Sequence, residues 1–332
     1  MWGQYFKSNI IKGPSVMTPI TLNWGQIEPL IAKMDINHSM REAFIEYSKG
    51  NAVIPPVGEL IMQEPPGEVH IKYGYIKGGS HYVIKIASGF PQNQKKDIKP
   101  GQGMMLLFDI QTGIPEMILI DDANLTDIRT AIAGAIVSEA LSNNDLEALT
   151  IIGTGVQARY QAIHASKILK INKVRVWGRD PKKANQLKED LPNLDINIEE
   201  DLESLIKQSR LIITTTSSKE PLIQSDWVMP GTHITAVGSD TPEKCELDPR
   251  LLSKTDLIVA DSLEQNIIRG EIYQAIKRSL IDPESIVEIG DIFAGNKPGR
   301  VREESITVAD LTGVAVQDLT IAQAVFESYD SK

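Results

Sequence analysis

The chain has 332 residues, enough for two cores, and its 42% apolar and 23% charged composition is that of a folded globular protein rather than a disordered one. A formal net charge of −10 argues against non-specific nucleic-acid binding, which needs a basic surface, and against docking on anionic membranes. The single cysteine, Cys245, cannot form an internal disulfide and fits a reducing compartment.

Residues 1–24 lack the apolar run of a secretion signal, and no stretch of about 18 apolar residues occurs, so the expectation is a cytoplasmic protein without a membrane span. Ile27, Leu30, Ile31 and Met34 recur at helical spacing and predict one helix over 24–47. A Pro/Gly-rich stretch, 55–67, follows. Runs 70–76 and 81–87 flank Lys77-Gly78-Gly79-Ser80, and runs 104–109 and 116–121 flank Gln111-Thr112-Gly113. Two successive hairpins of this kind predict an antiparallel sheet.

The texture changes near Leu125. A helix over 126–141 carries small residues, Ala131, Ala133, Gly134 and Ala135. Strands at 148–153, 173–177, 211–216, 233–237 and 257–260 then alternate with helices at 157–169, 181–190 and 202–208. This alternation predicts a parallel sheet with helices on both faces. A last strand at 306–309 and a helix over 314–328 end the chain. The fold class is thus α/β: a doubly wound parallel sheet plus an α+β domain with an antiparallel sheet. The expected division gives 129–305 to a dinucleotide-binding domain, and 1–128 with 306–332 to a substrate-binding and dimerisation domain.

Gly153-Thr154-Gly155-Val156-Gln157-Ala158 follows the first parallel strand and opens a helix, the context a Rossmann fingerprint requires. Gly153 permits the tight turn, Gly155 lets the backbone approach a pyrophosphate, and Ala158 takes the place of the third glycine. The next strand ends in Gly178-Arg179-Asp180. With no acidic residue at Gly178 and Arg179 following, the site leans to NADP(H) over NAD(H). Asp180, before Pro181, reads as a helix N-cap.

Four further segments carry candidate chemistry: Tyr82-Val-Ile-Lys85-Ile-Ala-Ser-Gly89-Phe-Pro91, Leu125-Thr126-Asp127-Ile128-Arg129, Ala236-Val237-Gly238-Ser-Asp240-Thr-Pro242, and Asp310-Leu-Thr-Gly313-Val-Ala-Val-Gln317-Asp318. In this order and spacing the sequence resembles the ornithine cyclodeaminase/μ-crystallin family over about 24–326. The resemblance implies that Lys85 and Arg129 bind the substrate carboxylate, that Asp240 faces the substrate nitrogen as the acid–base group, that Lys85 counts with Asp240 as a catalytic residue, and that the protein is a homodimer. It also implies cofactor contacts at Gly153, Thr154, Gly155, Val156, Gln157, Arg179, Thr130, Thr215, Val237 and Gly238. No metal is expected. Read from the residues alone, Asp240 already stands at the carboxyl end of a buried strand, where open α/β sheets bind ligands.

Two departures stand out. Many relatives carry a Pro-Arg pair upstream, whereas this chain has Pro55-Pro56-Val57-Gly58. Lys72 stands about where ornithine cyclodeaminases place a Glu that handles the side-chain amine. A lysine there could replace the missing arginine as a carboxylate ligand, and it would repel an ornithine tail. The resemblance implies first an ornithine cyclodeaminase-like lyase, converting L-ornithine to L-proline and ammonia. The alternatives are a cyclic imino acid reductase or alanine dehydrogenase, and a non-catalytic, crystallin-like binding protein.

Overall fold

The computed structural model describes residues 18–331; residues 1–17 of the expected first domain lie outside them. The first part of the chain runs β1 (Ile20–Asn23), α1 (Trp24–Ile31), α2 (Asn37–Ser48), β2 (Ala52–Val53), β3 (Gly58–Gln63), β4 (Pro66–Ile76), β5 (His81–Gly89), β6 (Gly101–Asp109) and β7 (Pro115–Ile120). Its sheet has the order β1-β7-β6-β5-β4-β2, with β3 paired to β4. Both expected hairpins, β4–β5 and β6–β7, are antiparallel.

The expected single helix over 24–47 is two. Asn23 opens α1 with a capping box, its side chain accepting from the Gln26 amide while the Gln26 side chain accepts from the Asn23 amide. The helix ends after eight residues at a turn around Ala32 and Lys33, and α2 starts after it. The stretch 55–67 is also less irregular than its prolines suggest. Proline is tolerated at sheet edges, and the Glu-Leu-Ile-Met run between the prolines forms β3 beside β4.

The second part continues as α3 (Asn124–Leu141), β8 (Leu149–Ile152), α4 (Val156–Leu169), β9 (Lys173–Trp177), α5 (Pro181–Asp190), β10 (Asp195–Ile198), α6 (Leu202–Gln208), β11 (Leu211–Thr214), β12 (His233–Ala236), β13 (Leu257–Ala260), α7 (Leu263–Asn266), α8 (Gly270–Ile276), β14 (Val287–Glu288), α9 (Ile289–Phe293), β15 (Thr307–Asp310) and α10 (Ala315–Asp330). The eight strands are parallel in the order β10-β9-β8-β11-β12-β15-β13-β14. Strand order reverses between β8 and β11, and a crevice at such a switch point is where doubly wound sheets bind ligands.

One expected boundary is corrected here. The strand near 306–309 was assigned to the substrate-binding part, but β15 is a central strand of the parallel sheet, between β12 and β13. All four of its residues are buried, as a strand covered on both faces requires. Only α10 then returns to the antiparallel sheet, packing on β4, β5 and β6.

The small residues of α3 have a packing reason. The helix runs through the main apolar core, and a Cβ at Gly134 would lie 2.4 Å from the Gln161 side chain of α4. Gln161 in turn donates to the Thr130 carbonyl at 3.1 Å. Among the described residues no helix is long and apolar enough to cross a membrane.

Candidate active site

The turn after β8 is shaped for close approach. Gly153 has φ +129°, and a Cβ there would lie 2.4 Å from Thr215 Oγ1, so only glycine fits. The Gly153 amide donates to the Trp177 carbonyl at 2.9 Å and the Thr215 amide to the Ile152 carbonyl at 2.9 Å. The turn is thereby tied to the ends of both neighbouring strands. Gly155 caps α4 without a side-chain acceptor, and nothing lies within 4 Å of where its Cβ would be. The backbone at the start of α4 is therefore open to close approach, the setting that suits a pyrophosphate. Ala158 is fully buried behind them.

Thr154 lies against Gly178. Val156 and Arg179 are exposed at this edge. Asp180 is the expected N-cap of α5, accepting from the Lys182 amide at 3.0 Å. The neighbouring turns are braced by a residue that sequence reasoning missed. Buried Glu246 accepts from Thr214 Oγ1 at 2.7 Å, the Thr216 amide at 2.5 Å and the Gly238 amide at 3.0 Å. It joins the ends of β11 and β12, and burial pushes its carboxyl up to about 7 against those three donors.

A cavity opens beside this edge, lined by Lys72, Lys85, Arg129, Thr130, Gln157, Val237 and Asp240 together with His70, Asp127, Arg269, Thr312, Gly313 and Gln317. All four expected substrate-site residues meet there, and Gln157, Thr130 and Val237 belong to it as well. The other expected cofactor contacts, Gly153, Thr154, Gly155, Val156, Arg179, Thr215 and Gly238, follow the carboxyl edge of the parallel sheet. Gln157 bridges the two regions, its amide donating to Asp127 Oδ1 at 3.0 Å.

Three basic side chains gather at one end. Lys72 and Lys85 are direct partners across the β4–β5 ladder, and Arg129 reaches them from α3. Their counter-charge is Asp318 on α10, fully buried, with Oδ1 2.8 Å from Arg129 Nε and Oδ2 3.5 Å from Lys85 Nζ. Gln317 accepts a further bond from Arg129 Nη1. Burial raises the cost of charge on Asp318, yet Arg129, Lys85 and Lys72 outweigh it and hold the carboxyl below its usual range. Burial pushes the Lys85 ammonium down, with Asp318 opposing. Sequence reasoning quoted Gln317 and Asp318 without assigning them a role. The available signal was an Asp in the apolar run Ala-Val-Gln-Asp-Leu-Thr-Ile-Ala.

Asp240 faces the cavity from the other end, beyond β12. Lys244 Nζ lies 2.5 Å from its Oδ1. Desolvation works against its charge, but Lys244, Lys72 and His70 more than offset it and keep the carboxyl below the usual range. Arg269, also missed in the sequence, lines the cavity and is buried, 3.0 Å from Glu59 on β3 and 3.5 Å from the Asp240 carbonyl. Cys245 is buried with its thiol pushed up to about 12 by burial and Glu271, which disfavours the thiolate that a nucleophile needs. A cation cluster facing an ionised carboxylate is complementary to a small molecule carrying a carboxylate and a cationic nitrogen.

The model of the ornithine cyclodeaminase/mu-crystallin family matches residues 20–332. The chain belongs to this family. It is 39% identical to an uncharacterized cyclodeaminase of Sinorhizobium fredii, over 92% of this chain and 94% of that protein. Among solved structures it is similar to an archaeal alanine dehydrogenase dimer with bound NAD, at TM-score 0.85 and 30% identity, covering 94% of this chain and 96% of the other. It is equally similar to the Thermococcus litoralis Δ1-pyrroline-2-carboxylate reductase in complex with NADH and L-proline, at TM-score 0.86 and 28% identity, covering 94% and 98%. These relatives are named as a cyclodeaminase, a dehydrogenase and a reductase, so their names do not single out one reaction.

Proposed function

We propose that the chain is a nicotinamide-dinucleotide-dependent oxidoreductase that acts at the α-carbon of a small amino or imino acid. The observation that carries this reading is the cavity's polarity: Arg129, Lys85 and Lys72 at one end, ionised Asp240 at the other, beside a βα turn open to a pyrophosphate. Arg129 and Lys85 hold the substrate carboxylate through charge-assisted bonds. Asp240 faces the nitrogen: in reduction it stabilises the protonated imine that accepts hydride, and in oxidation it takes the proton the ammonium must lose before hydride can leave the α-carbon. Held at both ends, the α-carbon has one position. A bound dinucleotide supplies a hydride to that carbon or accepts one from it. Val237 gives the cavity an apolar wall, and α3 and α10 close it from behind.

The resemblance ranked ornithine cyclodeamination first, and the Sinorhizobium relative's name keeps it as the second reading. The cavity favours the reductase or dehydrogenase. An ornithine tail brings a second cation into a space already holding Lys72, Lys85, Arg129 and Arg269. The carboxylates lining it already have partners: Asp240 is shared between Lys244 and the α-nitrogen, and Asp127 accepts from Gln157, which leaves none for a second ammonium. An absorbance assay over cyclic imines, α-imino acids and amino acids separates the readings, because cyclodeamination leaves the reduced cofactor's absorbance unchanged. The expected result is consumption of reduced cofactor by an imine and no turnover of L-ornithine. Proline made from L-ornithine at constant absorbance would reverse the order. Dinucleotide binding with no turnover of any member would favour a non-catalytic, crystallin-like protein.

The cofactor reading is NADP(H) bound at least as well as NAD(H). Arg179 is exposed at the end of β9, and among the described residues its guanidinium makes no hydrogen bond or ion pair. A ribose 2′-phosphate would give it a partner, whereas both solved relatives above carry NAD or NADH. Fluorescence titration should show Arg179→Ala losing affinity for NADPH with little change for NADH. A preference for NADH unaltered by that substitution contradicts the reading.

A further inference from the structure

Lys72 and Lys85 leave the same face of the sheet side by side, a like-charge pairing that opposes sheet formation. Arg129 adds a third cation at the same spot. A Cβ on Gly313, which has φ +82°, would lie 2.8 Å from Arg129 Nη1 and 3.2 Å from Lys72 Nζ. Both heads therefore border the small space that Gly313 leaves open. Asp318 spends its two oxygens on Arg129 and Lys85. Lys72 is left with two main-chain carbonyls, Thr312 O at 3.0 Å and Gly313 O at 2.6 Å.

That partner set distinguishes the two forms of a lysine. The neutral amine has two N–H bonds and a lone pair, and the ammonium has three N–H bonds. Two carbonyls satisfy the neutral amine completely. The remaining tetrahedral position carries a lone pair in one form and an N–H in the other. Only the ammonium can donate from it to a carboxylate.

We propose that Lys72 is a proton-linked carboxylate ligand, neutral in the empty cavity and charged by uptake of one proton from solvent when the substrate's carboxylate enters beside Arg129. The change is confined to that proton: amine plus proton gives ammonium, which donates to the carboxylate. The inference rests on reading the cavity as an α-carboxylate site, and gives the upstream arginine's task to a residue whose charge depends on occupancy.

The groups around Lys72 support this. Lys85 from β5 and Arg129 from α3 oppose its charge. Asp318 from α10 and Asp240 from beyond β12 favour it, as does Asp261 from beyond β13, which accepts from the Thr312 and Gly313 amides. Burial, then Lys85 and Arg129, pushes the ammonium down to about 7. Asp318 and Asp240, which favour the charge on Lys72, already have closer cations, Asp318 in Arg129 and Lys85 and Asp240 in Lys244. An incoming carboxylate has none, so Lys72 gains an anion of its own. If only the charged form binds, apparent substrate affinity falls about tenfold per pH unit above the Lys72 midpoint.

The test is an NMR titration of isotope-labelled lysine ε-carbons in the full chain saturated with NADH, with Lys72→Met assigning the signal and L-proline as the carboxylate probe. Lys72 should titrate near neutral pH without the probe, and its midpoint should rise by about one unit or more when L-proline saturates the site. Lys72→Arg should bind the probe with affinity flat across the same range. A Lys72 that stays charged past about pH 9, as an ordinary lysine does, overturns the proposal. So does a midpoint unmoved by L-proline at any concentration. The titration needs no turnover. A linked shift in a chain that transfers no hydride would keep this proposal and sink the oxidoreductase reading, and turnover with a permanently charged Lys72 would do the reverse.

Discussion

Two aspartates share the charge of the cavity in different ways. Asp240 lines it and keeps its carboxylate through Lys244, while Asp318 lies fully buried behind Arg129 and Lys85. Asp240→Asn keeps shape and hydrogen bonding but removes the charge facing the nitrogen. It should lower kcat by about 10²–10⁴-fold with cofactor affinity nearly unchanged; steady-state kinetics giving a kcat close to wild type would show that a different group faces the reacting nitrogen. Asp318→Asn should act on folding as well as binding, because it strands two buried cations. Breaking a buried pair by removing one partner costs about 3–5 kcal/mol, so denaturant unfolding should show a loss of that size, and an unchanged midpoint would refute the pairing. Asp240, Lys85 and Arg129 were legible in the sequence because each sits in a segment whose order and spacing match a family pattern. Asp318 was not assigned because the side chains it neutralises, Lys85 and Arg129, lie far from it in sequence, and spacing carries no such information; Lys244, four residues from Asp240, was within reach of sequence spacing and was missed.

Elements that announce themselves by period and punctuation were read well. The βα turn at Gly153 follows a four-residue buried strand and precedes a helix, and the structure builds it as such. Gly153→Ala introduces a Cβ at φ +129° and against Thr215 Oγ1. Strain of about 1–3 kcal/mol should weaken nicotinamide dinucleotide binding by roughly ten- to a hundredfold while the far-ultraviolet circular dichroism stays native. Full affinity in that variant would mean the turn does not hold the cofactor. The misreadings have local causes. Helical spacing ran on through 32–36 because Met34 keeps the apolar period across a turn. The strand β15 looked like part of the C-terminal return because chain order says nothing about sheet order, and its insertion between β12 and β13 depends on long-range pairing.

At the scale of the whole molecule, the antiparallel sheet covers α10 with one face and leaves the other open. Tyr73, Tyr75, Tyr82 and Ile84 line an apolar groove on that open face, and Tyr82 stacks on Phe108 with ring centroids 4.7 Å apart. Leu60 and Ile61 on β3 are 59% and 60% exposed. Patches of this kind mark association surfaces, and the NAD-bound alanine dehydrogenase relative is a dimer. The expectation is a homodimer joined through this sheet: light scattering should give twice the chain mass, and Ile84→Glu should shift it to the monomer. A wild-type monomer at micromolar concentration would contradict it. The parallel sheet contributes the dinucleotide turn and Asp240, the antiparallel sheet contributes Lys72 and Lys85, and α3 and α10 between them supply Arg129 and Asp318, so the proposed chemistry needs both sheets at once. The most direct test of hydride transfer at the α-carbon is to supply reduced cofactor carrying deuterium at the transferable position, together with a cyclic imino acid, and to locate the label in the product by NMR. Deuterium at the α-carbon of the amino acid product is the predicted result; product that forms with the label elsewhere, or label that never leaves the cofactor with any imine offered, would contradict it.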